Sequence, residues 1–134
     1  MINIELEKEV TFELPEGVFE ATLTDIRPFS KQTIKGKQDW IRLIFEVQIP
    51  GKERLDCRAG RNFVLSFKAG SDLRYFLTPV LGRKFFLDNS AKTIDLEKLI
   101  KGSTGQITLS HFFGGDYDRP LVVVDSFVPK EGKD

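Results

Sequence analysis

DWIRLIFEVQI, residues 39–49, alternates strictly: Ile41, Leu43, Phe45, Val47 and Ile49 fall on one side, Trp40, Arg42, Ile44, Glu46 and Gln48 on the other. A period of two marks a strand with one face in a core, because successive side chains leave opposite faces of a pleated backbone. Pro50 and Gly51 end it in a turn. Upstream, Ser30–Gln38 contains Gly36 and three lysines and reads as a polar loop. Before that, Pro15, Glu16 and Gly17 launch a strand over Val18–Ile26, in which Phe19, Ala21 and Leu23 alternate with Glu20, Thr22 and Thr24.

Downstream of the turn, a third strand is expected from about Arg54 to Phe67. Its parity puts Leu55, Cys57, Phe63, Leu65 and Phe67 inward and Arg58, Asn62, Val64 and Ser66 outward. Gly60 in its middle suggests a bulge or bend. Ser71 is a good N-cap, and Leu73, Phe76, Leu77, Val80 and Leu81 follow at helical spacing until Gly82. Pro79 lacks the backbone donor and crowds the preceding turn, so an early end or tightening near Leu77 is expected. A second, short helical turn is expected, capped by Asp95 and closed by Gly102, carrying Leu96, Leu99 and Ile100. Strand four is expected over Gly105–Phe113, with Ile107, Leu109 and His111 on one face. Strand five, Leu121–Val128, is a continuous apolar run that reads as buried on both faces or as closing a barrel. Gly114, Gly115, Asp116, Tyr117 and Asp118 make the hairpin loop between them, and residues 129–134 a short polar tail expected to fray.

The expected class is therefore mainly β, with a helix between the third and fourth of five strands. That order, β-β-β-α-β-β, is the chain order of a five-stranded OB-fold barrel. A length of 134 residues with 40% hydrophobic content suffices for one core and is short for two, so a single OB-like domain over residues 1–134 is expected.

Formal net charge is zero, which argues against the strongly basic surface of a dedicated duplex-DNA binder. The charge is uneven. Residues 1–20 carry six Glu against Lys8, a net of −5, and residues 27–42 carry Arg27, Lys31, Lys35, Lys37 and Arg42 against Asp39, a net of +4. Residues 52–84 hold eight Lys and Arg against Glu53, Asp56 and Asp72, a net of +5. A solvated surface is the plainer account of such clustering. Cys57 is alone, so this chain can build neither an internal disulfide nor a cysteine zinc site, and a reducing compartment fits. The N-terminus lacks a basic n-region and apolar h-region, and no apolar run approaches the ~20 residues of a membrane span. A cytoplasmic protein without membrane contact is expected.

No catalytic constellation is legible. G-x-S-x-G, H-E-x-x-H and paired cysteines are missing, and Gly114-Gly115 precedes no helix and no Lys-Ser or Lys-Thr. His111 reads as semi-buried, and Asp116 with Asp118 as a surface turn, so neither an enzyme nor a metal nor another cofactor is expected.

In an OB barrel the ligand lies on strands two and three and on the loops joining strands one to two and four to five. The first loop, from Arg27 to Asp39, holds Phe29, Lys31, Lys35 and Lys37, with Trp40 just beyond. The second, from Phe112 to Arg119, holds Phe112, Tyr117 and Arg119, with Phe112 rather than Phe113 expected outside. Arg42, Arg58 and Asn62 face outward between them. Cations beside aromatic rings suit single-stranded nucleic acid: charges follow phosphates, and rings stack on unpaired bases that a duplex hides. Each ring has a structural alternative. Trp40 can cover the barrel rim, Phe29 after Pro28 can plug an end, and Tyr117 between two Asp faces phosphate repulsion. Arg42 and Arg58 can pair with Glu46 or Asp56, which yields ion pairs of small value.

The stretches LPEGVFEATLTDI (Leu14–Ile26), WIRLIFEVQI (Trp40–Ile49), LTPVLGRKF (Leu77–Phe85) and IDLEKLIKGSTGQITL (Ile94–Leu109) cover nearly the whole chain as a pattern. In that pattern the chain resembles the OB-fold single-stranded-DNA-binding-like proteins of phages, prophages and related mobile elements, an uncharacterised phage family among them. The resemblance implies non-catalytic binding of single-stranded DNA in replication or recombination. One departure is the ending VPKEGKD (Val128–Asp134), which is short and charge-mixed where many such proteins carry an acidic partner-recruiting tail. Residue types do not separate DNA from RNA. Association through strand edges and the identity of protein partners stay open. The alternative function is a structural or protein-interaction module of a phage or mobile element on the same barrel; a small sugar- or nucleotide-processing barrel comes third.

Overall fold

The alternation at residues 39–49 becomes β2 (Gly36–Val47) in the computed structural model, whose described residues are 2–4, 14–51, 57–112 and 121–130. Ile41, Leu43, Phe45 and Val47 are buried as expected. Ile49 lies just past the strand and is half-buried. β2 pairs antiparallel on one side with β1 (Gly17–Thr33) and on the other with β3 (Arg58–Val64). Beyond β1 come β4 (Thr104–Phe112) and β5 (Leu121–Pro129), so a five-stranded antiparallel sheet runs β3-β2-β1-β4-β5. The hydrogen-bonded sheet stays open: among the described residues no ladder joins β3 to β5.

Several expectations need correction. The polar loop over Ser30–Gln38 is instead a ribbon: β1 continues to Thr33, pairs with Gly36, and turns over only Ile34 and Lys35. Alternating polar side chains in both arms satisfy a two-sided solvent-exposed ribbon as well as they do a loop, which is why composition misled. β3 is shorter than expected; Leu65 lies past its end and is exposed at 47%, while Arg54 and Leu55 lie outside the described residues. Gly60 makes no bulge, since the register runs unbroken from Trp40–Val64 to Glu46–Arg58. Its missing side chain leaves room for Arg42, whose guanidinium a Cβ there would meet at 2.5–2.9 Å.

The bulges sit elsewhere. In β1 the register passes from Leu23–Phe45 to Asp25–Ile44, leaving Thr24 extra. In β5 it passes from Ser126–Thr108 to Val124–Leu109, leaving Asp125 extra. An extra residue reverses the parity of everything beyond it. That is why Val124 and Phe127, three apart, both point into the core, at 1% exposure each. It also corrects the reading of β5 as buried on both faces: Leu121, Asp125 and Val128 are exposed, as befits an edge strand.

Between β3 and β4 lies α1 (Asp72–Leu81). Ser71 caps it, its hydroxyl accepting from the Arg74 amide at 3.4 Å, and Leu73, Phe76, Leu77, Val80 and Leu81 are all buried. Pro79 does not end the helix early. It falls in the last turn, where the single lost donor faces the exposed Tyr75, and Gly82 closes the helix by donating to Thr78 O at 2.8 Å. Two short helices follow. α2 (Phe85–Asp88) was not legible in the pattern, and α3 (Leu96–Ile100) has Asp95 as its N-cap. Phe76 of α1 meets Phe45 edge-on at 6.1 Å and Phe63 at 5.0 Å, and Phe45 meets Phe127 of β5 at 4.9 Å. One aromatic cluster thereby joins β2, β3, β5 and α1.

Arg61 crosses the open seam. It occupies an inward position on β3, opposite Leu43, and its Nη1 donates to Val124 O and Asp125 O on β5 at 3.0 and 3.2 Å. Its guanidinium lies 4.7 Å from the Phe63 ring and 5.3 Å from that of Phe76, so the planar cation is stacked as well as hydrogen-bonded. Outside this bridge the seam opens as a groove of about 370 Å³ lined by Tyr75, Pro79 and Phe127 among others. At the chain's end, Lys130 N donates to Thr104 O, so order extends past residue 129; residues 131–134 lie outside the described ones. No described helix is long and apolar enough to cross a membrane.

Candidate functional site

The bulge at Thr24 builds the site. Ala21 and Leu23 point inward, and without the bulge Asp25, Arg27, Phe29 and Lys31 would follow them. With it, these four turn to the outer face and stand opposite Ile44, Arg42, Trp40 and Gln38. The next strand adds Asn62 beside Arg42 and Val64 beside Trp40. Around Phe29 and Trp40 the outer face of β1, β2 and β3 therefore gathers three cationic side chains, Arg27, Lys31 and Arg42, and two amides, Gln38 and Asn62.

Phe29 and Trp40 are stacked, with centroids 6.2 Å apart and planes inclined by 25°. Trp40 Nε1 donates to Gln38 Oε1 at 3.1 Å, which fixes the indole in its plane. Lys31 Nζ stands 4.0 Å from the Trp40 centroid and 5.8 Å from that of Phe29. Neither ring is deeply buried, so Phe29 stands on the outer face and not in the core.

Arg27 and Arg42 face each other across β1 and β2, a like-charge pair that a sheet tolerates only when each cation has another neighbour. Arg27 Nε donates to Asp25 Oδ2 at 2.8 Å, and Arg42 Nη1 to Asn62 Oδ1 at 3.0 Å. The Arg27 guanidinium, helped by the Ile26 amide, holds the Asp25 carboxyl below the usual carboxylate range. The folded value being depressed, the pair is complete at neutral pH and is lost only as pH falls through that lowered value. Both partners are exposed, so its value to stability is small. Its larger effect is to occupy Arg27. Asp25→Asn is expected to release that cation beside Arg42, so that a polyanion probe such as polyphosphate is held a few-fold more tightly at low salt than by the unaltered chain; a titration at low and raised salt checks it.

Other expected site residues lie differently. Lys35 sits exposed in the two-residue turn, and Lys37 pairs with Gln32 on the opposite face of the ribbon from Trp40. Arg58 is on the outer face but opposite Glu46. Phe112 is half-exposed, yet it stands beyond the Gly17–Leu109 pair, at the end of β1 away from the ribbon, and is not brought beside Phe29 and Trp40. Tyr117 and Arg119 lie outside the described residues, as do Phe113, Gly114, Gly115, Asp116 and Asp118. His111 is structural: its Nε2–H donates to Leu14 O at 2.6 Å and its amide to Glu16 Oε2 at 2.9 Å, tying β4 to the entry of β1. Among the described residues no group of three His, Cys, Asp or Glu side chains is placed to hold a metal.

Neither a protein-family model nor a curated protein matches this chain in sequence.

Proposed function

We propose that this chain binds single-stranded DNA on the outer face of β1, β2 and β3, with little sequence preference and without catalysis. The observation that carries this reading is the stacked Phe29–Trp40 pair with Lys31 and Arg42 beside it. Two rings on one sheet face can stack on any base, each stacked base contributing about 1–3 kcal/mol, while Lys31, Arg42 and the Asp25-paired Arg27 supply positive charge beside them. The strand order β3-β2-β1-β4-β5, with Arg61 bridging the ends, supports an OB-type barrel whose closure is made by side chain and helix rather than by a ladder. The resemblance to phage and mobile-element single-strand binders supports a role in replication or recombination.

The test is anisotropy of a labelled oligonucleotide, single-stranded and duplex, at low and raised salt. Binding to the single strand is expected, with log K falling against log salt at a slope of about −1.5 to −3, because only two to four cations face the ligand. A slope near −10, or equal affinity for duplex, would indicate a backbone binder of another kind. No binding of either form would move the chain to the protein-interaction class.

A further inference from the structure

We infer that Lys31 is a placeholder: in the free protein its ammonium covers the Trp40 face that receives a base, and on binding it leaves that face for a phosphate. The inference rests on the nucleic-acid reading and names the residue that couples stacking to charge. Lys31 lies on β1 two residues beyond Phe29, and pairs with Gln38, two residues before Trp40. That diagonal position lets its stem reach back over the indole, and its Nζ stands 4.0 Å from the centroid. Phe29 occupies the flank of the ring, and Gln38 holds its N–H edge, so both of those sides are already taken. A base approaching the indole face meets the ammonium first.

The exchange is favourable in direction. An exposed ammonium over a ring is a weaker contact than a stacked base, and the displaced lysine is an exposed, flexible cation within reach of the backbone of the nucleotide that displaced it. Lys31 also shields a large aromatic surface while the site is empty. The chain has one tryptophan, so Trp40 fluorescence reports each step without a label.

The experiment compares the wild-type chain with Lys31→Met, which keeps an apolar stem and removes the charge, and with Lys31→Ala, which uncovers the ring. In the free proteins, acrylamide is expected to quench Trp40 more strongly in Lys31→Ala than in the wild type. Titrated with oligo(dT), all three are expected to show altered Trp40 emission, and both variants a salt slope shallower by about 0.7, the loss of one phosphate contact. Equal acrylamide quenching and an unchanged slope, with emission still responding to oligo(dT), would overturn the placeholder and leave the nucleic-acid face standing. Emission that ignores oligo(dT) in the wild type would overturn the nucleic-acid face at Trp40 and the placeholder with it.

Discussion

Phe45→Ala is expected to destabilise the fold by about 3–5 kcal/mol, the range for removing a fully buried aromatic side chain that leaves a cavity. Phe45 has no solvent exposure and lies between Phe76 of α1 and Phe127 of β5, at 6.1 and 4.9 Å. The position matters because β3 and β5 are not joined by a ladder. Their association depends on this aromatic cluster and on the Arg61 bridge, so a cavity there loosens both sheet ends and α1 together. Small domains hold only about 5–15 kcal/mol in total, so the variant should melt on the order of 10–20 °C lower. Thermal denaturation followed by circular dichroism checks this. Phe112→Ala, at a half-exposed edge position, is the control and should cost under about 1 kcal/mol. If the two variants melted alike, Phe45 would not be the centre of the core.

Trp40→Ala is expected to weaken single-strand binding by about 1–3 kcal/mol, or roughly 5- to 150-fold, with a much smaller effect on stability. The indole stands on the outer face, stacked on Phe29 and bonded to Gln38, so removing it leaves the inward row of β2 untouched. The salt slope should change little, since no charge is removed; this separates it from Lys31→Met. Anisotropy with the oligonucleotide, alongside a melting curve, reads both quantities. Unchanged affinity would take Trp40 out of the site, and collapse of the melting transition would return it to a structural role.

Much of this follows from period and capping. The inward row of β2, the Ser71 cap, the buried stripe of α1 and the Asp95 cap were legible because each depends on residues near one another in sequence. Trp40, Arg42 and Asn62 were legible as outward residues for the same reason, lying on strands whose register holds throughout. The ribbon over Ser30–Gln38 was not, because lysines and glutamines alternate equally well in a loop. Phe112 looked like a partner of the rings because the fold-level rule brings two loops to one face, whereas the register sets it at the far end of β1.

By itself the sequence determined that there are five strands with a capped helix between the third and fourth, and which side of β2 and of α1 is apolar, since those depend on local spacing. Only the tertiary structure decided which way β1 faces after Thr24. A bulge is a relation between two paired strands, and one extra residue in that pairing turns Arg27, Phe29 and Lys31 from the core to the face shared with Trp40 and Arg42. The role of Arg61 was settled in the same way. Its neighbours on β3 make it an inward cation, and only the approach of β5 supplies the two carbonyls that let a guanidinium stay there.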